Sequence, residues 1–317
     1  MTTMRSLHFL VSALITAVLV SGISFGQAAS VSSKRVIYYY QTQYYQGQYV
    51  SLSKIWKQVS NKTHKPITTD VMVAAFHLGY GSNNKPYIHL NDNVPGDPMF
   101  DVMWKEVATL QKRGVTVRMM LGGAAQGSYN KALFAHWNTF YPILKQTLQH
   151  YKMNGIDMDI EEPVTLADAK KLVDQLNKDF SSQFIMTMSP VAPDLSGFVG
   201  FSGFNYKDLY KSPEGKRINW FNGQFYCGWG TLATPTEYEA IIHNGYPPQK
   251  IVGGMIGNPA NCSGYVPISA TVHTLKELVA KYPTFGGVAD WEYFNTLPGG
   301  LANPVKWGAI MSKAMGN

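Results

Sequence analysis

Residues 154–161 read Asn-Gly-Ile-Asp-Met-Asp-Ile-Glu, and this stretch decides the fold that we expect. Apolar and acidic residues alternate along it with the period of a β-strand, so Asp157, Asp159 and Glu161 share one face. Three carboxyl groups that face a buried interior are costly unless they are paired or protonated. Because the flanking residues are too apolar for a solvated edge strand, we interpret this strand as the wall of a functional site.

Seven other short runs with β-strand character alternate with helical runs along the chain. The predicted strands are Arg35–Tyr40, Val71–His77, Thr116–Leu121, Gly155–Ile160, Phe184–Met188, Trp220–Tyr226, Ile251–Met255 and Gly287–Trp291. The predicted helices are Pro98–Lys112, Phe134–Met153, Leu166–Phe180, Thr236–His243, Val272–Tyr282 and Pro304–Met315, with a short helix near Tyr206–Tyr210. Eight strands alternating with helices predict an α/β fold with a single (β/α)8 TIM barrel.

The rival architecture is a doubly wound open sheet. Such a sheet usually carries a glycine-rich phosphate-binding turn after its first strand. Here the first strand ends in Tyr39-Tyr40-Gln41-Thr42, without glycine. The barrel is therefore favoured, and its chemistry is expected at the carboxyl ends of the strands.

Composition excludes several classes of protein. Hydrophobic residues make up 45% of the 317 residues and charged residues only 15%, which excludes a disordered chain. The net charge is +7, but the basic residues are scattered, so we expect neither a nucleic-acid partner nor a membrane surface. The abundant aromatic residues, 13% of the chain, suit a protein that handles neutral ring-shaped ligands.

The amino-terminal segment predicts export. Residues 1–29 have the pattern of a secretory signal peptide, in which the apolar run Phe9–Val20 is too short to span a bilayer comfortably. We expect a secreted protein whose catalytic domain covers residues 30–317. A retained amino-terminal anchor is the alternative.

The chain has two cysteines, Cys227 and Cys262. Each follows a predicted strand, and these two strands are neighbours in a closed barrel, so we predict a disulfide bond between them. The alternative is two buried free thiols. We predict no metal and no cofactor, because the acidic strand has no nearby histidine and metal-ligand spacings are missing.

The acidic stretch resembles the D-G-x-D-x-D-x-E signature of glycoside hydrolase family 18. Other positions agree with that family in order and spacing: Leu121-Gly122-Gly123, Met186-Thr187-Met188, Gln224-Phe225-Tyr226, and Gly286-Gly287-Val288 leading to Trp291. The resemblance extends from Arg35 to about Met315. Asn154 and Met120 depart from the family pattern, where Asp and Ser are usual.

Several segments of the sequence resemble one branch of this family, the fungal-type endo-β-N-acetylglucosaminidases. The resemblance lies in His77, residues 88–92, residues 122–128 and residues 291–300. The short connection between Met255 and Val272 leaves no room for the insertion domain of many processive chitinases.

The resemblance implies retaining, substrate-assisted hydrolysis next to N-acetylglucosamine. In that mechanism Glu161 is the acid and then the base, while Asp159 holds the acetamido N–H and stabilises positive charge. Tyr226 donates a hydrogen bond to the acetamido group, and Asp157 supports Asp159 from below.

Four further residues are expected to bind substrate. Trp291 is predicted as the apolar floor under the sugar, Gln224 as a polar contact, Tyr39 as a wall of the cleft and Met188 as a neighbour of the acetamido pocket. For His77 and His89 we favour a buried structural role over a contact with sugar.

Three hypotheses for function remain. The first is an endo-β-N-acetylglucosaminidase that cuts the chitobiose core of N-glycans, and the second is a small chitinase. The third, a non-catalytic lectin, is disfavoured because Asp157, Asp159 and Glu161 are all present. In each case the partner is a glycan that contains N-acetylglucosamine, and we expect a monomer.

Overall fold

Eight parallel strands close into a barrel in the computed structural model, which describes residues 34–317. Around the barrel the order is β1-β11-β10-β9-β8-β7-β6-β4, and β4 pairs back onto β1. The predicted (β/α)8 barrel is therefore confirmed. The predicted signal peptide, residues 1–29, lies outside the described residues.

The strands follow the chain in this order: β1 Arg35–Tyr40, β2 Tyr44–Tyr45, β3 Gln48–Tyr49, β4 Asp70–Tyr80, β5 Pro86–Leu90, β6 Thr116–Gly122, β7 Gly155–Asp159, β8 Ile185–Met188, β9 Trp220–Gln224, β10 Ile251–Ile256 and β11 Gly287–Trp291. The α-helices are α1 Ser53–Lys57, α2 Asp101–Lys112, α3 Trp137–His150, α4 Leu166–Asp179, α5 Ala192–Leu195, α6 Tyr206–Lys211, α7 Thr236–His243, α8 Ile268–Lys281 and α9 Val305–Ala314. A π-helix covers Ser128–Leu133.

Two layers of apolar side chains hold the barrel together. Alternate residues of the strands point outward and pack against the helices, as Ile156 and Met158 do on β7. The inward residues form a smaller cluster within the barrel, which includes Tyr39, Met120 and Trp220. This alternation is the physical reason why the sequence pattern identifies the barrel strands.

Sequence reasoning missed the additions on the carboxyl-terminal side of the barrel. β4 continues past its predicted end and forms an antiparallel hairpin with β5, in which His77 pairs with His89. The short β2–β3 hairpin, α1, α5 and the π-helix were also not predicted. Each is too short for a periodic pattern to stand out in the sequence.

The disulfide bond between Cys227 and Cys262 is present, as predicted, with Cα atoms 5.5 Å apart. It joins the segments that follow β9 and β10. Residues 257–267 alone connect β10 to α8, so within residues 34–317 no insertion domain interrupts the barrel there. None of the helices described is long and apolar enough to cross a membrane.

A buried ion pair lies within the barrel, at the end opposite the acidic residues. Arg118 of β6 is fully buried, and its Nη2 lies 3.1 Å from Oδ1 of Asp70 on β4. The Arg118 guanidinium also stacks over the ring of Trp220, 4.3 Å from the ring centre. Removal of one partner from such a pair leaves the other charge uncompensated in an apolar interior.

We therefore expect Arg118→Met to lower the free energy of unfolding by about 3–5 kcal/mol. The double variant Arg118→Met/Asp70→Leu should recover part of that loss, because Asp70 is no longer buried without its partner, while Arg35 loses its attraction to Asp70. Urea unfolding checks both. The exposed pair Lys178–Asp174 provides the control, since Lys178→Met should cost less than about 1 kcal/mol. An equal loss in Lys178→Met and Arg118→Met would contradict this assignment.

Candidate active site

The acidic residues of β7 line up at the carboxyl end of the barrel. Asp157 and Asp159 point inward from the strand, and both are buried. Glu161 follows immediately after the strand and lines an open cavity together with Asp159. The alternation read from residues 154–161 thus brings the three predicted carboxyl groups to one face.

Asp157 is surrounded by hydrogen-bond donors. Its Oδ2 accepts from Tyr39 Oη at 2.8 Å and from Ser189 Oγ at 2.7 Å. Its Oδ1 accepts from Thr187 Oγ1 at 2.5 Å and from Asn222 Nδ2 at 3.0 Å. A carboxylate offers about four lone-pair sites, so these four bonds occupy its accepting capacity. The Asp157 side chain is therefore held in one position beneath the cavity.

Gln224 of β9 joins the two upper carboxyl groups. Its Nε2 lies 3.1 Å from Oδ1 of Asp159 and 3.1 Å from Oε1 of Glu161, and it also donates to the carbonyl oxygen of Ser189 at 2.8 Å. The predicted polar residue Gln224 therefore sets the spacing of these two carboxyl groups.

The pKa of Asp159 is raised well above its ordinary value of 3.8. Burial is the main cause, followed by the negative charges of Glu161 and Asp157 and by a hydrogen bond to the Glu161 carboxyl group, while Gln224 opposes the rise. Asp159 therefore keeps its proton where an exposed aspartate is ionised.

A cavity of about 500 Å³, here called the acidic cavity, opens above these residues. Asp159, Glu161, Gln224, Tyr226 and Trp291 line it. Burial and the charges of Asp159 and Glu161 raise the pKa of Tyr226 well above 10, so its hydroxyl group stays protonated and can donate a hydrogen bond.

Aromatic rings cover two sides of the acidic cavity. Trp291, at the end of β11, packs against Tyr39 with ring centres 5.6 Å apart. Phe201 and Trp229, which follow β8 and β9, pack edge to face with ring centres 4.7 Å apart and also line the cavity. Such rings can cover the apolar faces of sugars. Sequence reasoning missed Phe201 and Trp229, because both lie on loops outside any periodic pattern.

Two of the predicted substrate contacts are corrected by the structure. Met188 points outward, in register with Met158, and is buried against the helices; its neighbour Thr187 faces the interior instead. Tyr39 does face inward, but it lies below the acidic cavity, where its hydroxyl group is occupied by Asp157 and Asn222. Met188 therefore has no access to the cavity, and Tyr39 acts on Asp157.

His77 and His89 lie in different environments. His77 lines the acidic cavity, and burial lowers its pKa below 6.5. His89 instead stacks on Tyr87 with ring centres 3.9 Å apart. Neither histidine is fully buried, because β4 and β5 extend beyond the barrel and place both side chains near the surface. The predicted buried structural role therefore applies to neither residue.

Glu162 points away from Glu161, as expected from strand alternation. Its carboxylate accepts hydrogen bonds from the backbone N–H groups of Gly127, Tyr129 and Asn130 at the start of the π-helix. This anchors the segment after β6 to the segment after β7. Among the residues described, His, Cys, Asp and Glu form no group that could hold a metal ion.

The chain is similar in fold and in sequence to known proteins. No model of a known protein family matches the chain. The fold superposes on a fungal endo-β-N-acetylglucosaminidase from glycosyl hydrolase family 18 with a TM-score of 0.80 and 34% identity, covering 88% of this chain and 97% of that one. It superposes on the chitinase ChiC from Aspergillus fumigatus with a TM-score of 0.76 and 40% identity, covering 89% and 99%.

Among curated proteins, Chitinase 2 of Rhizopus oligosporus is 27% identical over 206 residues. The alignment includes 59% of this chain but only 35% of that protein, so the chain spans about a third of the length of this relative.

Protonation of Asp159 can be observed directly. We expect the infrared carbonyl band of protonated carboxyl groups, recorded well above pH 3.8, to lose intensity in Asp159→Asn, while the part that comes from Asp290, whose pKa is also raised by burial, remains. In Asp157→Asn one neighbouring charge is gone, so the band should titrate at lower pH.

The same shift has a consequence for stability. Because the native pKa exceeds the unfolded one, the contribution of Asp159 to the free energy of unfolding is full below the unfolded pKa and is lost as the pH rises through the native pKa. Urea unfolding at a series of pH values should therefore show that the free energy of unfolding declines less steeply with rising pH in Asp159→Asn than in the parent protein. A band unaffected by this substitution would contradict the assignment of the proton to Asp159.

Proposed function

The chain belongs to glycosyl hydrolase family 18, and we propose that it is a secreted, retaining endo-β-N-acetylglucosaminidase that cuts the chitobiose core of N-glycans. One observation carries the reaction type: Gln224 Nε2 lies 3.1 Å from the carboxyl groups of both Asp159 and Glu161 at the wall of a cavity, directly above Asp157, and burial raises the pKa of Asp159. The arrangement offers an acid, an acceptor for an acetamido N–H and a counter-charge within one site.

In the proposed first step, Asp159 passes its proton to Glu161 and accepts a hydrogen bond from an acetamido N–H of the substrate. Glu161 gives this proton to the glycosidic oxygen as the bond from that oxygen to the anomeric carbon breaks. The acetamido carbonyl oxygen of the substrate bonds to the anomeric carbon and forms an oxazolinium ion. Asp159, now ionised, and Asp157 stabilise its positive charge.

In the second step, Glu161 takes a proton from a water molecule, and the oxygen of that water bonds to the anomeric carbon. The bond from this carbon to the acetamido oxygen breaks, so configuration is retained and Glu161 regains its proton. Tyr226 donates to the acetamido oxygen, which holds it in position for attack. Trp291 lies beneath the sugar and excludes water from its apolar face.

The choice of N-glycan as substrate is supported by the high structural similarity to the fungal endo-β-N-acetylglucosaminidase and by the phrases that this branch shares, above all residues 291–300. Chitin oligomers are the second candidate. The 40% identity to ChiC favours them, since that protein is a chitinase. Both substrates place an N-acetylglucosamine beside the bond that breaks.

The remaining expectations belong to this proposal. We infer that residues 1–29 direct export, that residues 30–317 act as one catalytic domain and that the enzyme is a monomer. The disulfide bond between Cys227 and Cys262 is compatible with an oxidising compartment.

Glu161→Gln tests the mechanism. We expect kcat to fall by about 10²–10⁴-fold because the amide cannot donate the proton to the leaving oxygen, while sugar binding measured by calorimetry is retained. Glu277→Gln, on the exposed face of α8, is the matched control and should retain full activity. Full activity in Glu161→Gln would refute the role of this residue.

A paired digestion tests the substrate. One sample contains a glycoprotein with high-mannose N-glycans and the other contains chitin oligosaccharides, and mass spectrometry identifies the products. We expect a glycoprotein that retains one N-acetylglucosamine and oligosaccharides that stay intact. Shortened oligosaccharides beside an intact glycoprotein would establish the chitinase instead.

A further inference from the structure

One loop connects the backbone segments that carry Tyr226 and Trp291. Tyr226 follows β9, Trp291 ends β11, and both side chains line the acidic cavity. In the barrel β10 lies between these two strands, and residues 257–264, which we name the bridging loop, follow β10. The bridging loop is therefore placed to contact both segments.

The Tyr226 and Trp291 side chains are not oriented by hydrogen bonds of their own. No residue within 34–317 bonds to the Tyr226 hydroxyl group or to the Trp291 indole N–H. The carboxyl groups of Asp157 and Asp159, in contrast, are held by hydrogen bonds from neighbouring side chains. The directions of the two rings therefore depend on packing and on the backbone that carries them.

At one end the bridging loop is joined to the backbone next to Tyr226. Cys227 directly follows Tyr226 and forms the disulfide bond with Cys262, and the Cys227 N–H donates to the Ser263 carbonyl oxygen at 2.9 Å. A Cβ atom on Gly264 would lie 3.3 Å from the Tyr226 Cα, so the loop packs directly on this residue. Cys227 has φ of +54°, which is rare outside glycine, and the crosslink opposes its relaxation to another conformation.

At the other end the bridging loop is joined to the backbone of Trp291. The Gly257 N–H and Asn261 Nδ2 donate to the Trp291 carbonyl oxygen at 3.1 and 3.2 Å. The side-chain amides of Asn261 and Asn295 also donate to each other, at 3.0 and 2.7 Å. The Leu297 N–H donates to the Gly257 carbonyl oxygen at 2.8 Å. Asn261 is thus paired on both sides of the segment that begins with Trp291.

Burial contributes little to the position of the bridging loop. Its residues Pro259, Ala260, Ser263 and Gly264 are exposed. Segments with little buried surface open easily unless specific bonds hold them. The disulfide bond and the Asn261 amide are therefore the contacts on which the position of the loop depends.

We propose that the bridging loop positions two side chains for the reaction: the disulfide bond between Cys227 and Cys262 sets the direction of Tyr226, and Asn261 sets that of Trp291. This inference rests on the proposed function, in which Tyr226 holds the acetamido oxygen for attack and Trp291 lies beneath the same sugar. A displacement of about 1 Å in such a group can cost about 100-fold in rate. Cys227, Cys262 and Asn261 are thus positioning residues that act without touching the reacting atoms.

Two double-mutant cycles test this inference, because they separate an effect through one side chain from a general loss of structure. The first combines Cys227→Ser/Cys262→Ser with Tyr226→Phe, and the second combines Asn261→Ala with Trp291→Ala. For the first cycle kcat is measured on the substrate that the paired digestion identifies. For both cycles the Kd for chitotetraose is measured by calorimetry in the Glu161→Gln background.

We expect Cys227→Ser/Cys262→Ser to lower kcat by about tenfold or more when Tyr226 is present and by less than about twofold in Tyr226→Phe. Each loop variant should raise the Kd for chitotetraose by about fivefold, and by less than about twofold when Tyr226→Phe or Trp291→Ala is already present.

Two variants outside the bridging loop are the controls. Arg118→Met loses stability at the opposite end of the barrel and should retain the kcat and Kd of the parent. Asn61→Ala removes an exposed amide and is the matched control for Asn261→Ala.

Equal losses with and without Tyr226 or Trp291 would overturn the inference, because the loop would then only support the fold. Unchanged kcat and Kd in the loop variants, or losses of the same size in Arg118→Met, would overturn it as well. Coupling in both Kd cycles by a chain that cuts neither substrate would refute the proposed function alone.

Discussion

The site depends on the four hydrogen bonds that the Asp157 carboxyl group accepts. Its four donors come from β1, from β8, from the residue that follows β8 and from β9, so one carboxylate on β7 is tied to the strands around it. A polar group buried at the centre of a barrel is tolerated only when its hydrogen-bonding capacity is filled in this way. Above it, burial and then the negative charges of Glu161 and Asp157 raise the pKa of Asp159, so that Asp159 keeps its proton.

From this anchor the chemistry follows in layers towards the solvent. Asp157 is fixed by four hydrogen bonds, Asp159 is buried and has a raised pKa, and Glu161 lines the open cavity. Gln224 contacts the two upper carboxyl groups at once and prevents them from separating. The strand period therefore brings the three acidic residues to one face and also places each of them closer to the solvent than the one before it.

Much of the barrel could be predicted from the sequence, since strands buried on both faces and amphipathic helices have strong periodic signals. The acidic face follows from the strand period, whereas Gln224 and Tyr226 were identified by the resemblance to family 18 and the paired cysteines by their place after neighbouring strands. Met188 was misplaced because one strand residue was assigned to the wrong face, which inverts the direction of its side chain. Asn222 and Ser189 are ordinary polar residues whose importance appears only when the fold brings them to Asp157. Phe201 and Trp229 lie on loops, which carry no periodic signal.

The adjacent carboxylates at 161 and 162 have a consequence for engineering. Glu161 lines the acidic cavity, and Glu162 accepts hydrogen bonds from backbone N–H groups within residues 127–130, so the loop after β6 is tied to the segment after β7. Transplanting the first loop from a relative would displace the second unless both segments were exchanged together. A change of specificity in this scaffold therefore requires the exchange of both neighbouring loops, because a graft of one loop alone breaks the hydrogen bonds between them.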